Sequence, residues 1–409
     1  MDPTVLNIWL GLSLTPASKS LGHLLKRFSN AEEIFHAEDG EIEGALGSHR
    51  RDIRRICRRD LDEANRVAAY CSSHGISIIT WFDPAYPAVL RDLSDPPAIL
   101  FCMGDVTLLS STKTVGIVGT RMPSEYAQKM TFEIARDLAR AGAIIVSGMA
   151  FGIDGVAAAG SLSVGGKTIA VLGCGLDMTY PAKHAKLRAS ILQNGLLISE
   201  YPPGSPPERF HFPERNRIIS GLSRGVFVAE GTLQSGALIT ANYAAKQGKR
   251  LFTLPGRLDS PLAEGPMKLL RDGAHPVCCA DDILSKIEKD QPGTFDLSLL
   301  LRDDDGPDFY DAIRRYGVSF SLARGKGRSV RCSDPEPEPT PEPTFAPDLS
   351  GLSESERALF LRIPEEGSCL SDDLIASGLS AGEIGGMLTM LEIKGLIRML
   401  PGGRVSRAN

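Results

Sequence analysis

The amino-acid sequence predicts an α/β fold built around a doubly wound parallel sheet. Six short apolar runs recur roughly every 25 to 30 residues through the centre of the chain. They are TVGIVG (114–119), AIIVSG (143–148), TIAVLG (168–173), GLLISE (195–200), GVFVAE (225–230) and RLFTLPG (250–256). The apolar residues of each run are continuous rather than alternating, as expected of strands buried on both faces of a sheet. Helical patterns separate most of the runs, for example Glu125–Arg140 with Ser124 as its N-cap, and this alternation predicts the doubly wound sheet.

The segment before the sheet, residues 1–70, is predicted to be a small domain of short helices. Apolar side chains recur at helical spacing between Leu21 and Phe28, and the segment from Asp52 to Tyr70 is again helical. The run HRRDIRRICRRD places arginines four residues apart, so they stack on one helix face. A charge run alone does not decide between a solvated face and an accessory DNA-binding stripe. The candidate members of such a stripe are Arg51, Arg54, Arg55 and Arg58.

The sheet domain is predicted to span residues 71–290, beginning with a strand at Ile76–Trp81 and a proline-punctuated connection. Residues 291–350 are predicted to be a linker, since 333–348 are rich in Pro and Glu. Three short helices followed by a Pro-Gly-Gly turn predict a winged helix over 351–409. Its third helix carries Glu383 and Glu392 against Lys394 alone, so it suits protein contacts or plain packing better than DNA reading.

Composition restricts the partners that this chain can have. The net charge is −5, so any surface that binds an anion must be local. The eight cysteines form no C-x-x-C pair, which is typical of reduced thiols and predicts no metal site. No basic region precedes the apolar stretch Val5–Leu14 and no run approaches the length of a membrane span. A cytoplasmic location without membrane contact is therefore expected.

The ends of the predicted strands carry small residues, among them Gly119, Ser147-Gly148 and Gly173. Ligands of open parallel sheets bind at this edge, where backbone amides favour phosphate. A dinucleotide site is disfavoured because GIVGTR lacks the G-x-G-x-x-G triplet. GSLSVGGKT resembles a phosphate-binding loop, but it fails by one residue and precedes a strand. The predicted ligand is therefore a phosphate-bearing molecule other than a dinucleotide or ATP.

The segment YPPGSPPERFHFPERNR (201–217), predicted to be a loop, interleaves aromatic rings with arginines. Arginine binds phosphate with two parallel hydrogen bonds, and an exposed ring stacks on an unpaired base. This combination favours a single-stranded nucleic acid as the ligand. In the alternative interpretation, Phe210 and Phe212 plug the core while the arginines pair with Glu208 and Glu214. Ser235-Gly236 are predicted to start a helix and to offer another set of phosphate-facing amides.

Several long motifs in fixed order carry a family resemblance. VGIVGTRMPSEY, IIVSGMAFGID, TIAVLGCGLDMTYP, LISEYPPG, HFPERNRIISGLS and SGALITA closely resemble the DNA-processing protein A (DprA/Smf) family. The resemblance is strong over about residues 76–280. It implies an extended Rossmann-like doubly wound sheet, flanked by a small SAM-like helical domain and a C-terminal winged helix.

The resemblance also implies a function. A member of this family would bind and protect single-stranded DNA and load a RecA-type recombinase onto it, as in natural transformation. It would act as a homodimer through the Rossmann domain, with no cofactor and no catalytic residue. Arg121, Arg215 and Arg217 would hold phosphates, and Phe212 would stack on a base. The full set of implied DNA-binding residues is Gly119, Arg121, Ser147, Gly148, Phe212, Arg215, Asn216, Arg217, Ser235 and Gly236.

The sequence departs from the family pattern at four positions. Phe151 and Gln234 stand where the family usually has Arg, Ala158 stands for His, and Met267 stands for Asn. Two missing arginines predict a weaker grip on DNA. They also predict a shallower salt dependence, because each phosphate contact on a single strand contributes about −0.7 to the slope of log affinity against log salt.

Two other functions stay open at the level of the sequence. One is a nucleotide hydrolase resembling the phosphoribohydrolases, although their P-G-G-x-G-T-x-x-E signature is absent and no H-E-x-x-H or G-x-S-x-G motif occurs. Glu200 and Glu230, at strand ends, would be its carboxylate pair, but such acids more often cap helices or bind arginines. The other is an adaptor that binds a partner through the winged helix.

Overall fold

The computed structural model describes residues 2–290, 295, 308–320, 352–364, 369–370, 374, 381–393, 396–400 and 404–407. It divides into two compact units, Met1–Arg324 and Gly325–Asn409. No helix in these ranges is both long enough and apolar enough to cross a membrane.

The N-terminal domain consists of short helices, as predicted. They are α1 (Pro3–Ser13), α2 (Ser20–Leu24), α3 (Ala31–His36), α4 (Asp39–Leu46), α5 (Arg50–Arg58) and α6 (Leu61–Ser73). Their core includes Trp9, whose ring meets the Phe35 ring edge-on at 5.0 Å. The predicted helix over 52–70 is interrupted: Arg59 has a left-handed φ of 51° and Asp60 caps α6 with its side chain. A left-handed residue ends a helix because it satisfies the last carbonyls.

The central sheet has nine strands in the order β1-β2-β6-β5-β4-β3-β7-β8-β9. All six predicted runs are strands, and they pair in parallel from β6 to β8. Two antiparallel strands extend one side of this core, and a two-residue strand closes the other. The strands are β1 (Ser77–Thr80), β2 (Ile99–Gly104), β3 (Thr114–Val118), β4 (Ile144–Ser147), β5 (Thr168–Leu172), β6 (Gly195–Ser199), β7 (Gly225–Val228), β8 (Arg250–Thr253) and β9 (His275–Pro276). The predicted doubly wound sheet is thereby confirmed.

Helices cover both faces of this sheet. They are α7 (Ala88–Arg91), α8 (Glu125–Arg140), α9 (Ile153–Ser163), α10 (Ala185–Asn194), α11 (His211–Leu222), α12 (Gly236–Lys246), α13 (Glu264–Arg271) and α14 (Ala280–Asp290). The bounds predicted for α8 are confirmed, and its N-cap Ser124 accepts a hydrogen bond from the Ala127 amide at 3.2 Å. The loop predicted over 201–217 is wrong from His211 onward, because α11 begins there.

The segment assigned to a linker from the sequence contains a further helix, α15 (Phe309–Tyr316), packed on the sheet domain. The Tyr316 hydroxyl donates to the Leu162 carbonyl at 2.9 Å, and the Tyr310 hydroxyl donates to the Glu125 carboxylate at 2.6 Å. Helix α15 is only about two turns long, so its apolar periodicity is too short to predict a helix from the sequence.

The C-terminal unit has the predicted combination of helices and a wing. It contains α16 (Glu354–Arg362), β10 (Cys369–Leu370), α17 (Ala381–Ile393), β11 (Ile397–Leu400) and β12 (Arg404–Arg407). The strands form an antiparallel sheet in the order β10-β12-β11. Phe360, Leu388 and Val405 are buried together in its core. The second of the three short helices predicted for this unit, near residues 371–377, lies outside the described residues apart from Leu374.

Candidate nucleic-acid interface

A cleft opens at the carboxyl edge of the sheet, where β3, β4 and β5 end side by side. Its lining residues are Arg121, Gly148, Ala150, Phe151, Leu172, Gly173, Cys174, Tyr180, Pro181, Phe212 and Arg215. We call it the Arg121–Phe212 cleft. Ligands of open parallel sheets bind at this edge because backbone amides and helix N-termini converge there.

Arg121 and Phe212 form the open part of the cleft. The guanidinium carbon of exposed Arg121 lies 5.5 Å from the centre of the Phe212 ring. In the ranges that the structure covers, Arg121 makes no ion pair, so its five donors stay available. The half-buried Phe212 ring lies over Gly173 and 5.4 Å from the Tyr180 ring. A flat apolar face and an unpaired cation therefore stand together at the rim.

Arg215 lies deeper in the cleft and is buried. Its guanidinium donates to the Val171 carbonyl and, through Nε, to the Asn216 amide oxygen at 3.0 Å. A Cβ atom at Gly148 would lie 2.1 Å from this guanidinium, so only glycine leaves it room. Burial lowers the pKa of Arg215, and the nearby Asp154 carboxylate opposes that shift. An arginine nevertheless stays protonated, so it projects positive charge into the cleft.

The loop after β4 is held in an unusual backbone conformation. Met149 has a positive φ of 54° and Gly152 one of 75°. A Cβ atom at Gly152 would lie 2.4 Å from the Thr120 carbonyl oxygen, so the loops after β3 and β4 touch. Asp154 fixes the turn by accepting from the Gly148 amide at 3.1 Å. Such strained positions persist only where the surroundings determine them, and they cluster at binding sites.

His184 supports this loop from below. Its Nδ1 lies 3.0 Å from the Met149 carbonyl oxygen, and its Nε2 accepts the Ser319 amide at 2.9 Å. These partners require the neutral ring with its proton on Nδ1. Burial lowers the pKa of His184, which favours the same neutral form. The Phe151 ring packs edge-on against the imidazole at 5.2 Å, so this side chain contributes to packing around the loop.

Arg217 does not belong to the cleft, contrary to the expectation that it holds a phosphate. Each residue of a helix turns by about 100°, so Arg215 and Arg217 project from opposite faces of α11. Arg217 is fully buried, and its Nη2 donates to both oxygens of the Glu200 carboxylate at 2.6 and 2.7 Å. Its Nε lies 3.6 Å from the Asp95 carboxylate. A guanidinium enclosed in this way cannot reach a phosphate.

Five other residues from the sequence prediction also lie outside the cleft lining. Gly119 is packed against Ile153, where a Cβ atom would lie 2.5 Å from a side-chain carbon. Ser147 is buried and donates to the Ile117 carbonyl at 2.7 Å. Asn216 joins α11 to α12 through the Gly236 carbonyl at 3.3 Å. Ser235 is the N-cap residue of α12, whose start was predicted at this position. Of the predicted set, the structure brings together Arg121, Gly148, Phe212 and Arg215.

Sequence reasoning missed part of the aromatic wall. Tyr180 lines the cleft, and its position in the TYP triplet gave no periodic signal. Cys174 also lines the cleft, and burial raises the pKa of its thiol to about 11. At neutral pH this thiol is protonated and therefore a poor nucleophile.

The alternative in which both phenylalanines plug the core does not fit the structure. Phe210 is 58 % exposed, and its ring meets the His211 ring edge-on with ring centres 4.6 Å apart. Glu214 accepts a hydrogen bond from the Tyr201 hydroxyl at 2.8 Å rather than pairing with an arginine of the motif. Phe210 and the exposed Arg209 before it stand at the surface.

The two strand-end carboxylates do not form a catalytic pair. Glu230 accepts hydrogen bonds from the Ser124 amide at 2.8 Å and the Ser124 hydroxyl at 2.6 Å. Glu200 is bound by Arg217. Both carboxylates therefore serve a helix start or an arginine, as strand-end acids more often do. Within the described ranges, no group of three or more His, Cys, Asp or Glu side chains is placed to hold a metal ion.

Comparisons with known proteins agree with this geometry. Residues 77–288 match the family model for DNA recombination-mediator protein A, and residues 336–403 match the DprA winged helix domain. Protein Smf of Synechocystis is 37% identical over 335 residues, covering 80% of this chain and 78% of that protein. The DNA processing protein DprA of Bacillus subtilis is 43% identical over 222 residues, 54% of this chain and 75% of that protein.

A solved structure shows the same architecture. The X-ray structure of DNA processing protein A from Streptococcus pneumoniae aligns with a TM-score of 0.61 at 32% identity, covering 70% of this chain and 99% of that one. The family model spans more than half of the 409 residues and includes every residue of the cleft. The chain therefore belongs to the DNA recombination-mediator protein A (DprA/Smf) family.

Proposed function

We propose that the Arg121–Phe212 cleft binds single-stranded DNA and that the protein protects the strand for recombination. The observation that carries this proposal is an exposed, unpaired Arg121 directly beside the Phe212 ring. The guanidinium fits a phosphate, and the ring face fits a base. A base in a duplex is stacked on both faces, so this pairing of groups selects an unpaired strand.

The shape of the cleft determines how the strand binds. The enclosed volume is only about 20 Å³, which is room for about one water molecule. A base therefore stacks at the rim, against Phe212, instead of entering the cleft. Buried Arg215 attracts the backbone from below through its charge, while Arg121 donates directly to a phosphate.

The experiment that tests this function is fluorescence anisotropy with a labelled oligothymidine and with a duplex of equal length. The wild-type protein should bind the single strand more tightly. Phe212→Ala should weaken that binding roughly 5- to 100-fold, since a stacked ring contributes about 1–3 kcal/mol per base. Tyr70→Ala is the matched control, because Tyr70 is also an exposed ring, stacked on His74 at 3.9 Å, but in α6. Equal affinity for single strand and duplex would contradict the proposal.

Recombination requires that the bound strand is passed on. We infer that a RecA-type recombinase receives it, and the support is membership in a family of recombination mediators. The seven described cysteines are free thiols, which supports a reducing, cytoplasmic setting.

We also infer a homodimer that forms through the Rossmann domain. Its support is an open groove of about 340 Å³ between the loops after β7 and β8 and helix α13. Leu258 and Leu233 at this groove are 83% and 53% exposed, beside half-buried Met267. Neighbouring exposed leucines mark an interaction surface, and a second copy of the chain would cover them.

Leu258→Asp should shift this dimer to monomer, because the variant loses the apolar contact and a carboxylate would have to leave water when the second copy covers it. Size-exclusion chromatography with light scattering measures the change. Leu361→Asp is the control, since Leu361 is also exposed, at 61%, but lies in the C-terminal unit. A wild-type protein that is monomeric at every concentration, or an unchanged Leu258→Asp dimer, would refute this interface.

A further inference from the structure

Helix α5 of the N-terminal domain presents a row of unpaired arginines. Arg50, Arg51, Arg54 and Arg58 are exposed, and Arg55 is partly exposed. None of the five forms an ion pair within the ranges that the structure describes. We call these five side chains the α5 arginine surface.

Arg59, the residue that follows α5, differs from these five arginines because its guanidinium is bonded to the N-terminal domain. Its Nε donates to the Phe35 carbonyl at 2.8 Å and its Nη2 donates to the Ala37 carbonyl at 2.6 Å. Its Nη1 also pairs with Asp39 at 2.9 Å. The arginines of α5 lack such partners, so holding the fold together does not explain them.

The row also opposes the stability of its own helix. Arg50 and Arg51 occupy the first turn, where the helix dipole disfavours positive charge, and His49 gives no side-chain cap. Arginines four residues apart, such as Arg50 and Arg54, repel each other. The acid in its first turn, Asp52, is buried and bonded to Thr15 and Ser18, so it does not lie among the exposed arginines. A helix selected for stability alone would carry mixed charges along its exposed face. The arrangement is expected where a polyanion neutralises it.

The spacing of the charges fits a repeating anion. Arg51, Arg54 and Arg58 follow one another by about one helical turn, roughly 4.5 and 6 Å along the axis. The opposite face of α5 is fixed in the domain by buried Ile56 and Asp52. The helix is therefore a rigid rod with a line of guanidinium groups on its solvent side.

Asp52 connects this helix to the edge of the sheet that carries the cleft. Its carboxylate accepts from the Thr15 amide at 3.0 Å and the Ser18 hydroxyl at 3.1 Å. Thr15 and Ser18 in turn line a small cavity together with Glu200, the first residue after β6. Strand β6 lies beside β5, and Gly173 directly after β5 lines the cleft. The α5 helix and the cleft thus belong to the same edge of the molecule.

We propose that the α5 arginine surface is a second phosphate-binding site, which holds the backbone of single-stranded DNA where it extends past the β6 side of the Arg121–Phe212 cleft. This inference rests on the proposed function, since the strand that it binds is the one held in the cleft. The α5 arginine surface would also supply positive charge to the bound DNA, whereas Phe151 in the cleft carries none.

The test compares a short oligothymidine of about 6 nucleotides with a long one of about 30, measured by fluorescence anisotropy over a range of salt. The triple variant Arg51→Ala/Arg54→Ala/Arg58→Ala should bind the long strand about 10-fold or more weakly at low salt. Its slope of log affinity against log salt should become shallower by about 2, because three contacts of about 0.7 each are lost. Its affinity for the short strand should stay at the wild-type value.

A matched control removes the same charge elsewhere. Lys113, Lys286 and Lys289 are exposed and lie at the opposite, amino edge of the sheet. Lys113 directly precedes β3. Lys289 is next to Asp290, whose carboxylate accepts a hydrogen bond at 2.6 Å from Arg250, the first residue of β8. Lys113→Ala/Lys286→Ala/Lys289→Ala should leave both affinities unchanged. Arg51→Lys/Arg54→Lys/Arg58→Lys should retain most of the long-strand affinity, since charge carries the contact. This variant also separates lost binding from lost folding.

The outcomes separate this inference from the proposed function. A wild-type protein that does not bind the short strand refutes the function of the cleft, and this inference fails with it. If the wild-type protein binds both strands and the arginine triple variant behaves like the lysine control, only the α5 surface is refuted. That second result is also what an acidic protein partner on α5 would give.

Discussion

Arg121→Ala is expected to weaken the binding of single-stranded DNA about 10- to 100-fold. The variant removes a charge-assisted hydrogen bond to phosphate, and such bonds contribute about 1.5–3 kcal/mol. It also removes the cation that lies 5.5 Å from the Phe212 ring, so the stacking platform loses its neighbour. The slope of log affinity against log salt should become shallower by about 0.7, as for one lost phosphate contact. Titration of a labelled oligonucleotide at several salt concentrations measures both changes.

Arg91→Ala is the matched control for this variant. Arg91 is also exposed and also stands over aromatic rings, with its guanidinium carbon 4.7 Å from Trp81 and 5.0 Å from Tyr86. Because it lies in α7 rather than in the cleft, its loss should leave DNA affinity unchanged. Equal losses in both variants would mean that overall charge, rather than the cleft, governs binding, and the assignment of Arg121 would be abandoned.

Arg217→Ala is expected to lower the free energy of unfolding by about 3–5 kcal/mol. The substitution leaves the Glu200 carboxylate buried without its guanidinium partner, and breaking a buried ion pair costs about this much. Urea denaturation followed by circular dichroism gives the change. At a urea concentration of zero, the folded fraction should still bind single-stranded DNA, because Arg217 faces away from the cleft.

Arg314→Ala provides the comparison for the stability measurement. Its ion pair with Asp311 at 2.6 Å has side chains that are 77% and 70% exposed, so its loss should change the stability little. If instead Arg217→Ala has the same urea midpoint of unfolding as the wild-type protein but loses DNA affinity, then Arg217 contacts the DNA. In that case the burial of Arg217 described above does not persist in solution.

The fold could be predicted from the sequence because the parallel sheet has a strong local signature. In runs such as 168–173 and 195–200 the apolar residues are consecutive rather than alternating, since helices cover both faces of the strands. The order of the strands and the antiparallel pair β1 and β2 could not be derived in this way, because pairing depends on contacts distant in sequence. Short α15 was missed for a related reason: its burial against the sheet domain stabilises it more than its own pattern does.

The candidate site could be predicted only in part. Gly148 was found because strand ends can be located from the apolar runs, and Arg121 was assigned through the family resemblance. Arg217 was assigned to the ligand because the motif was interpreted as a loop, in which every side chain can turn outward. Helix α11 imposes a fixed direction on each side chain, so two arginines separated by one residue serve opposite faces. Tyr180 reaches the cleft through a connection whose course has no periodic pattern.

The two faces of α11 have a consequence for the thermodynamics of ligand capture. The ion pair of Arg217 immobilises the helix, and Arg215 on the other face is already held by the Val171 carbonyl and by Asn216. Ordering a free arginine side chain costs up to about 2 kcal/mol of rotamer entropy, and here folding has already met that cost. The cleft is therefore preorganised, and a polynucleotide that docks there should lose mainly its own conformational freedom.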